Sequence, residues 1–236
     1  MKPRYMIHTI PEREWYVHGF LIPCMTAQGI ARSRIKVWSD KDRLGNLMAC
    51  MTGFQWCGER EKPGFTWHLQ DDVVPRHNMA LWTEQMYSRE NIVMLRVICG
   101  FCSDHTYEED TSRYVGWVDW EKMWWSFQCI GMDDLLAGEC AQWFLDHGPF
   151  GVGWLDANVR EGKGDDSIFR RFLEELYPDM QVVNLRPNLV QHVDDLLGGS
   201  VINKDREFPI RAAYWDDNGE MAALQRWLDK REKEDT

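Results

Sequence analysis

Phe65-Thr66-Trp67-His68-Leu69-Gln70-Asp71-Asp72-Val73-Val74 is the stretch from which the rest of the chain can be read. An apolar, aromatic run enters it and two adjacent carboxylates close it, with Pro63-Gly64 and Pro75 at its ends. Such a run predicts a buried strand bounded by turn residues, delivering acids at its carboxyl end. In an open α/β sheet, ligands sit in the crevice outside the carboxyl ends of the strands. Asp71 and Asp72 are therefore positioned to hold a divalent cation or to do acid/base work. They would serve equally well as caps for the helix expected from about Asn78. The stretch alone leaves both readings open.

Working outward, Tyr5 to Ile10 and Ile35 to Asp40 read as strands, and Ile92 to Cys99 as another. Helices are expected between them, over Trp15 to Thr26, Asn46 to Trp56 and Asn78 to Tyr87. This alternation predicts a mostly parallel sheet flanked by helices, an α/β fold in a single domain. The order then changes. A polar loop at 105–112 and a tryptophan-rich segment around Trp117, Trp120, Trp124 and Trp125 precede a helix from Asp133 to His147. A glycine-rich stretch containing Gly151 and Gly153 follows. Asp165-Asp166 opens a helix with Ile168, Phe169, Phe172, Leu173 and Leu176 on one face. Val182 to Leu185 reads as a late strand. Residues 216–236 read as a C-terminal helix, Glu220 to Leu228, and a charged, fraying tail.

A net charge of −11 over 236 residues, with no evident basic face, argues against nucleic acid as the main partner. It is compatible with a nucleotide held through a metal ion, because a bound cation needs carboxylates. The N-terminus has no apolar leader core and no stretch approaches membrane-spanning length, so a cytoplasmic protein without a transmembrane segment is expected. Seven irregularly spaced cysteines fit reduced thiols. Cys99-Gly100-Phe101-Cys102 lacks the second pair that a zinc site would need and reads as two buried thiols. Thirteen tryptophans imply a stacking surface or a heavily aromatic core. Trp120 and Trp124 have the spacing of a helical core pair, whereas Trp117, following Gly116, is the better candidate for a stacking surface.

Chemistry concentrates in Gln70-Asp71-Asp72, Asp165-Asp166 and His192. Two acid clusters with a distant histidine suit metal-assisted transfer or hydrolysis. Oxygen-rich donors favour Mg²⁺ or Mn²⁺, and one imidazole tilts the choice to Mn²⁺. Each piece also has a plain structural use, Asp165 as a helix N-cap and His192 as a hydrogen-bonded core residue.

Leu69-Gln70-Asp71-Asp72-Val73-Val74-Pro75, with Pro187-Asn188-Leu189-Val190-Gln191-His192-Val193 far downstream, resembles the nucleotide-sugar glycosyltransferases of GT-A (Rossmann-like) fold. That superfamily carries a short acidic motif after a central strand, a glycine-containing acceptor loop, an acidic pair opening a late helix, and a C-terminal metal-binding histidine. The resemblance implies a nucleotide-sugar half over about 1–100 and an acceptor-binding, catalytic half over about 101–215. By position, Asp72 and His192 would be the ligands of Mn²⁺ (or Mg²⁺). Gln70, standing where the family's first acid usually lies, and Asp71 would face the donor. Thr9, Ile10 and Arg13 follow the first strand, where the family holds the nucleotide, and Arg13 is as suited to the diphosphate as to solvent. Trp117, Gly151 and Gly153 would contact the carbohydrate acceptor. Asp166, with Asp165 beside it, would take the proton of the attacking hydroxyl. The implied activity is sugar transfer from a nucleotide diphosphate, UDP first, to an acceptor hydroxyl. A metal-dependent hydrolase of nucleotide sugars or phosphoesters, and a non-catalytic carbohydrate-binding protein, are the alternatives.

Overall fold

The computed structural model describes residues 2–88, 96–101, 115–118, 127–147, 165–180, 182–185, 188–199, 212, 215 and 217–234. Its first strand, β1 (Arg4–Thr9), alternates between two cores. Tyr5 and Ile7 join Trp67 and Leu69 on one face, while Met6 joins Val97, Ile130 and Met132 on the other. A strand that is apolar on both sides belongs inside a sheet covered by two helical layers.

The expected helix after β1 forms with a local irregularity. A 3₁₀ turn (Pro11–Arg13) leads into α1 (Glu14–Tyr16), a π-type turn (Val17–Leu21) and α2 (Ile22–Ala27). Pro23 has no N–H to direct at the Gly19 carbonyl, and the wide turn lies immediately ahead of it. Then come β2 (Ile35–Ser39), α3 (Asn46–Gly58), β3 (Phe65–Gln70), β4 (Val73–Pro75) and α4 (Met79–Ser88). They are followed by β5 (Val97–Cys99), β6 (Val115–Val118), β7 (Cys129–Asp133) and α5 (Asp134–His147). The chain closes with α6 (Asp165–Leu176), β8 (Val182–Leu185), β9 (Val190–His192) and α7 (Glu220–Glu234).

Among the described residues the main sheet has seven strands in the order β2-β1-β3-β7-β5-β8-β6. β1 is parallel to β2 and β3, and β5 is parallel to β8; β7 runs against both β3 and β5, and β6 against β8. Five strands thus share one direction and two oppose it. The sheet is mixed rather than purely parallel. β7 was not foreseen, because Cys129-Ile130-Gly131-Met132 is a four-residue run with a glycine inside it. That glycine has a packing reason, since a Cβ at Gly131 would lie 2.6 Å from the Phe65 ring.

The stretch around Asp71-Asp72 is not one strand. β3 stops at Gln70, and β4 leaves the main sheet to pair antiparallel with β9, Val73 opposite His192 and Pro75 opposite Val190. The same break removes the capping role for the two acids, because β4 stands between them and α4. This small second sheet carries the C-terminal histidine back to the acids.

Candidate active site

The carboxyl ends of β1 and β3 lie side by side, with His8 opposite Gln70. Just beyond them the chain turns, and Asp71 and Asp72 point into a buried polar cluster. Thr9 Oγ1 donates to Asp71 Oδ2 at 2.8 Å, and the Ile10 amide donates to the same oxygen at 3.3 Å. Arg13 Nη1 donates to Asp71 Oδ1 at 2.9 Å and to Asp72 Oδ2 at 2.8 Å. Arg13 Nη2 reaches the Gly199 carbonyl at 2.8 Å. Arg13 therefore faces neither solvent nor an open crevice; it is the counter-ion of both acids.

His192 enters from β9. Its Nε2 is 3.4 Å from Asp72 Oδ2, and its Nδ1 is 3.4 Å from Asp194 Oδ1. The backbone fastens the same corner, the Val193 amide donating to the Asp72 carbonyl at 2.8 Å. Tyr16, fully buried, donates its hydroxyl to the Val73 carbonyl at 2.7 Å. All five residues of the cluster, Arg13, Asp71, Asp72, His192 and Asp194, are buried.

Charge is unevenly distributed over the two acids. Burial, with the Asp72 charge adding to it, raises Asp71 above the usual carboxylate range, despite Arg13 and Thr9. Burial acts on Asp72 in the same direction, but the His192 hydrogen bond and the Arg13 guanidinium outweigh it and hold Asp72 low. The pair thus carries one firmly ionised acid and one that is readily protonated.

Two features speak to whether a divalent ion fits. Asp72 Oδ1 is buried and has no hydrogen-bond partner among the described residues. His192 Nε2 lies close enough to the same carboxylate for both to reach one ion, each at about 2.1 Å. Asp194 behind Nδ1 is the kind of carboxylate that orients a ligating imidazole. Among the described residues no cluster of three or more His, Cys, Asp or Glu side chains forms a metal cage. The site thus offers an ion two protein donors, Asp72 and His192.

The remaining expected residues are placed as follows. Gln70 is half-buried at the end of β3, its backbone N–H donating to the Gln128 backbone carbonyl at 3.2 Å. Asp165 and Asp166 do open a helix, α6, and Asp166 is half-buried. The next turn of α6 packs Phe169 against Phe54 and Phe127, in the core on the other face of the sheet from Tyr16. Trp117 sits on strand β6 opposite Val183. Gly151, Gly153, Trp120, Trp124, Trp125 and Cys102 lie outside the described residues. Cys99 is buried with its Sγ toward the Phe101 carbonyl at 2.8 Å, in keeping with an inert thiol.

Sequence reading missed Asp194, although it stands two positions beyond His192, because its contact with the imidazole depends on how the chain turns after β9. It also missed a second buried polar pair. His8 Nε2 and His68 Nδ1 are 3.0 Å apart on neighbouring strands beneath Phe54. Burial lowers His8 to about 4 and pushes His68 well below its usual value. A histidine within a strand gives no period-2 signal beyond its parity, so the pairing was not visible. No family model and no curated protein matches the chain. Among the described residues no helix is long and apolar enough to cross a membrane.

Proposed function

We propose that the protein is a metal-dependent glycosyltransferase that moves a sugar from a nucleotide-diphosphate donor, UDP-linked first, to an acceptor hydroxyl. What carries this reading is one juxtaposition. Asp72, at the end of a central strand, and His192, from a late strand of a separate sheet, meet at 3.4 Å beside a buried carboxylate oxygen that has no partner among the described residues. A helix cap or an isolated core histidine requires no such meeting.

In this reading Asp72 and His192 would hold Mn²⁺ or Mg²⁺, with Asp194, beside His192 Nδ1, orienting the ring so that Nε2 faces the ion. When bound, the ion supplies Lewis-acid neutralisation of the charge that develops on the departing diphosphate. Thr9 and Ile10 keep Asp71 in place at the donor side, and Gln70 offers an amide to the ribose. Holding donor and acceptor at one sheet edge makes the encounter an oriented one. In an inverting reaction the acceptor oxygen forms the new bond to the sugar carbon as the bond to diphosphate breaks, and Asp166 takes the hydroxyl proton. Trp117, Gly151 and Gly153 are proposed on the acceptor side.

A thermal-shift panel of nucleoside diphosphates, each with and without Mn²⁺, tests the reading. A ligand at a hundredfold its dissociation constant adds about 2.7 kcal/mol. A shift that needs both metal and nucleotide is expected, and Asp72→Asn or His192→Ala should abolish it. If no nucleoside diphosphate gives a metal-dependent shift, the proposed activity is wrong.

A further inference from the structure

We propose that Arg13 is the resident cation of the Asp71–Asp72 pair, and that it must leave Asp72 before a divalent ion binds there. The site is then closed by its own arginine, and a nucleoside diphosphate drives the exchange. This rests on the metal-dependent reading given above.

The geometry points to exchange rather than to a permanent ion pair. A guanidinium built to stay on one carboxylate presents its planar fork and makes two parallel bonds. Arg13 does otherwise: Nη1 alone is split between Asp71 Oδ1 and Asp72 Oδ2, and Nη2 goes to the Gly199 carbonyl. Asp72 Oδ1 is left buried and without a partner among the described residues. Nη1 thus stands where one positive charge is shared between both acids. A dication joining Asp72 with Arg13 still in place would set like charges side by side in a site less than a tenth exposed.

Arg13 also has the means to move. It ends a 3₁₀ turn of three residues at the edge of the sheet. Its other hold is the carbonyl of Gly199, in a Gly198-Gly199 turn where both residues have positive φ, 96° and 92°. A diphosphate arriving with its metal offers the guanidinium a bidentate acceptor. Arg13 can then pass from carboxylate to phosphate while the ion takes its place on Asp72, so that no buried charge is left alone at either stage. Without nucleotide, only the small fraction of molecules with Arg13 displaced is competent for metal, and the apparent affinity is reduced by that fraction.

The test is Mn²⁺ binding, followed by calorimetry and by the paramagnetic resonance of the free ion, with and without UDP. Wild type should bind Mn²⁺ alone weakly and at least about tenfold more tightly with UDP. Arg13→Gln should bind Mn²⁺ alone at least about tenfold more tightly than wild type, while Arg13→Lys, which keeps the charge, stays near wild type. If wild type binds Mn²⁺ with UDP but Arg13→Gln leaves the metal-alone affinity unchanged or weaker, the exchange is refuted and the metal reading survives. If wild type binds no Mn²⁺ with any nucleoside diphosphate, both fall. Should Arg13→Gln not fold, wild type labelled with ¹⁵N-arginine carries the test. The guanidinium signal of Arg13 should change when Mg²⁺ and UDP are added together, and an unchanged signal overturns the exchange.

Discussion

Asp71 and Asp72 are adjacent, yet their charges act on stability in opposite senses. Asp72 is held at about 2, below its ordinary value near 3.8, so its contribution is present above that value and is lost as pH falls toward 2. Asp71 is raised to about 6, so its ionised form opposes folding at neutral pH and the fold gains stability as pH falls from 6 toward 3.8. Asp71→Asn should therefore cost little at pH 7, whereas Asp72→Asn, which leaves Arg13 and His192 facing an amide, should cost about 3 kcal/mol in urea melts. Equal costs would mean that the two acids share Arg13 evenly. His8 supplies a second pH test. Its folded value of about 4 lies below the unfolded 6.5, so the stability it confers is complete above 6.5 and disappears on descent to 4. The difference corresponds to about 3 kcal/mol. A His8→Leu, His68→Leu protein should lose that downward slope between pH 6.5 and 4 and show the opposing rise from the carboxyls that burial raises, Asp71 and Asp134. An unaltered slope would mean that the imidazoles are not neutral in the fold. At this scale the sequence made Asp72 and His192 legible through their order and type. It could not show Arg13 between the acids or the histidine pair, because those depend on which strands become neighbours.

The elements owe their positions to close packing between layers. α3 and α5 cross with Gly58 and Gly138 in contact, and a Cβ at Gly58 would lie 2.5 Å from the Gly138 Cα. That approach lets Phe54, Cys57, Cys140 and Phe144 fill the core beneath the sheet. Gly138→Ala should push the helices apart and cost about 1–3 kcal/mol, read as a lowered urea midpoint without a changed slope. A neutral result would show that the helices can slide. The N-terminus of α5 is secured separately: Asp133 Oδ1 accepts from the Leu135 and Leu136 amides at 3.0 and 3.1 Å, and buried Asp134 accepts from Thr66 Oγ1 at 2.6 Å. The helix from Asp133 to His147 was visible from its apolar period, and strands over 5–9, 35–39 and 65–70 were visible too, although the last was read through to Val74. What stayed hidden was β7, whose central place comes from pairing with β3 and β5 rather than from local propensity. The sheet's direction reverses there, and no pattern along the chain encodes that.

Across the whole molecule, the last helix and the site are linked through the helix that follows β1. α7 extends past the expected end at Leu228 to Glu234 and buries Leu224 completely. Trp227 stacks on Trp15 at 5.4 Å with the rings 4° from parallel, and lies over Gly19, where a Cβ would come within 2.8 Å of its ring. Arg231 covers the other part of Trp15, 4.5 Å from the ring centroid. The neighbouring Tyr16 meets Trp227 edge-on, ring centroids 6.1 Å apart, and sends its hydroxyl to the carbonyl of Val73 at the start of β4. At its beginning α7 is tied to the turn before α4, Glu220 accepting from the His77 amide at 2.7 Å. The helix thus braces the back of the segment whose front carries Arg13. Trp227→Ala should cost about 2 kcal/mol through lost aromatic burial. Because Trp227 touches none of the charged groups in the cluster, the further stabilisation given by Mn²⁺ with UDP should be the same in the variant as in wild type. Thermal melts of both proteins, with and without the two ligands, separate the effects: a lowered baseline with an equal increment makes α7 a brace. A lost increment would mean that the position of α1 sets Arg13, and that the C-terminal helix governs the site from behind.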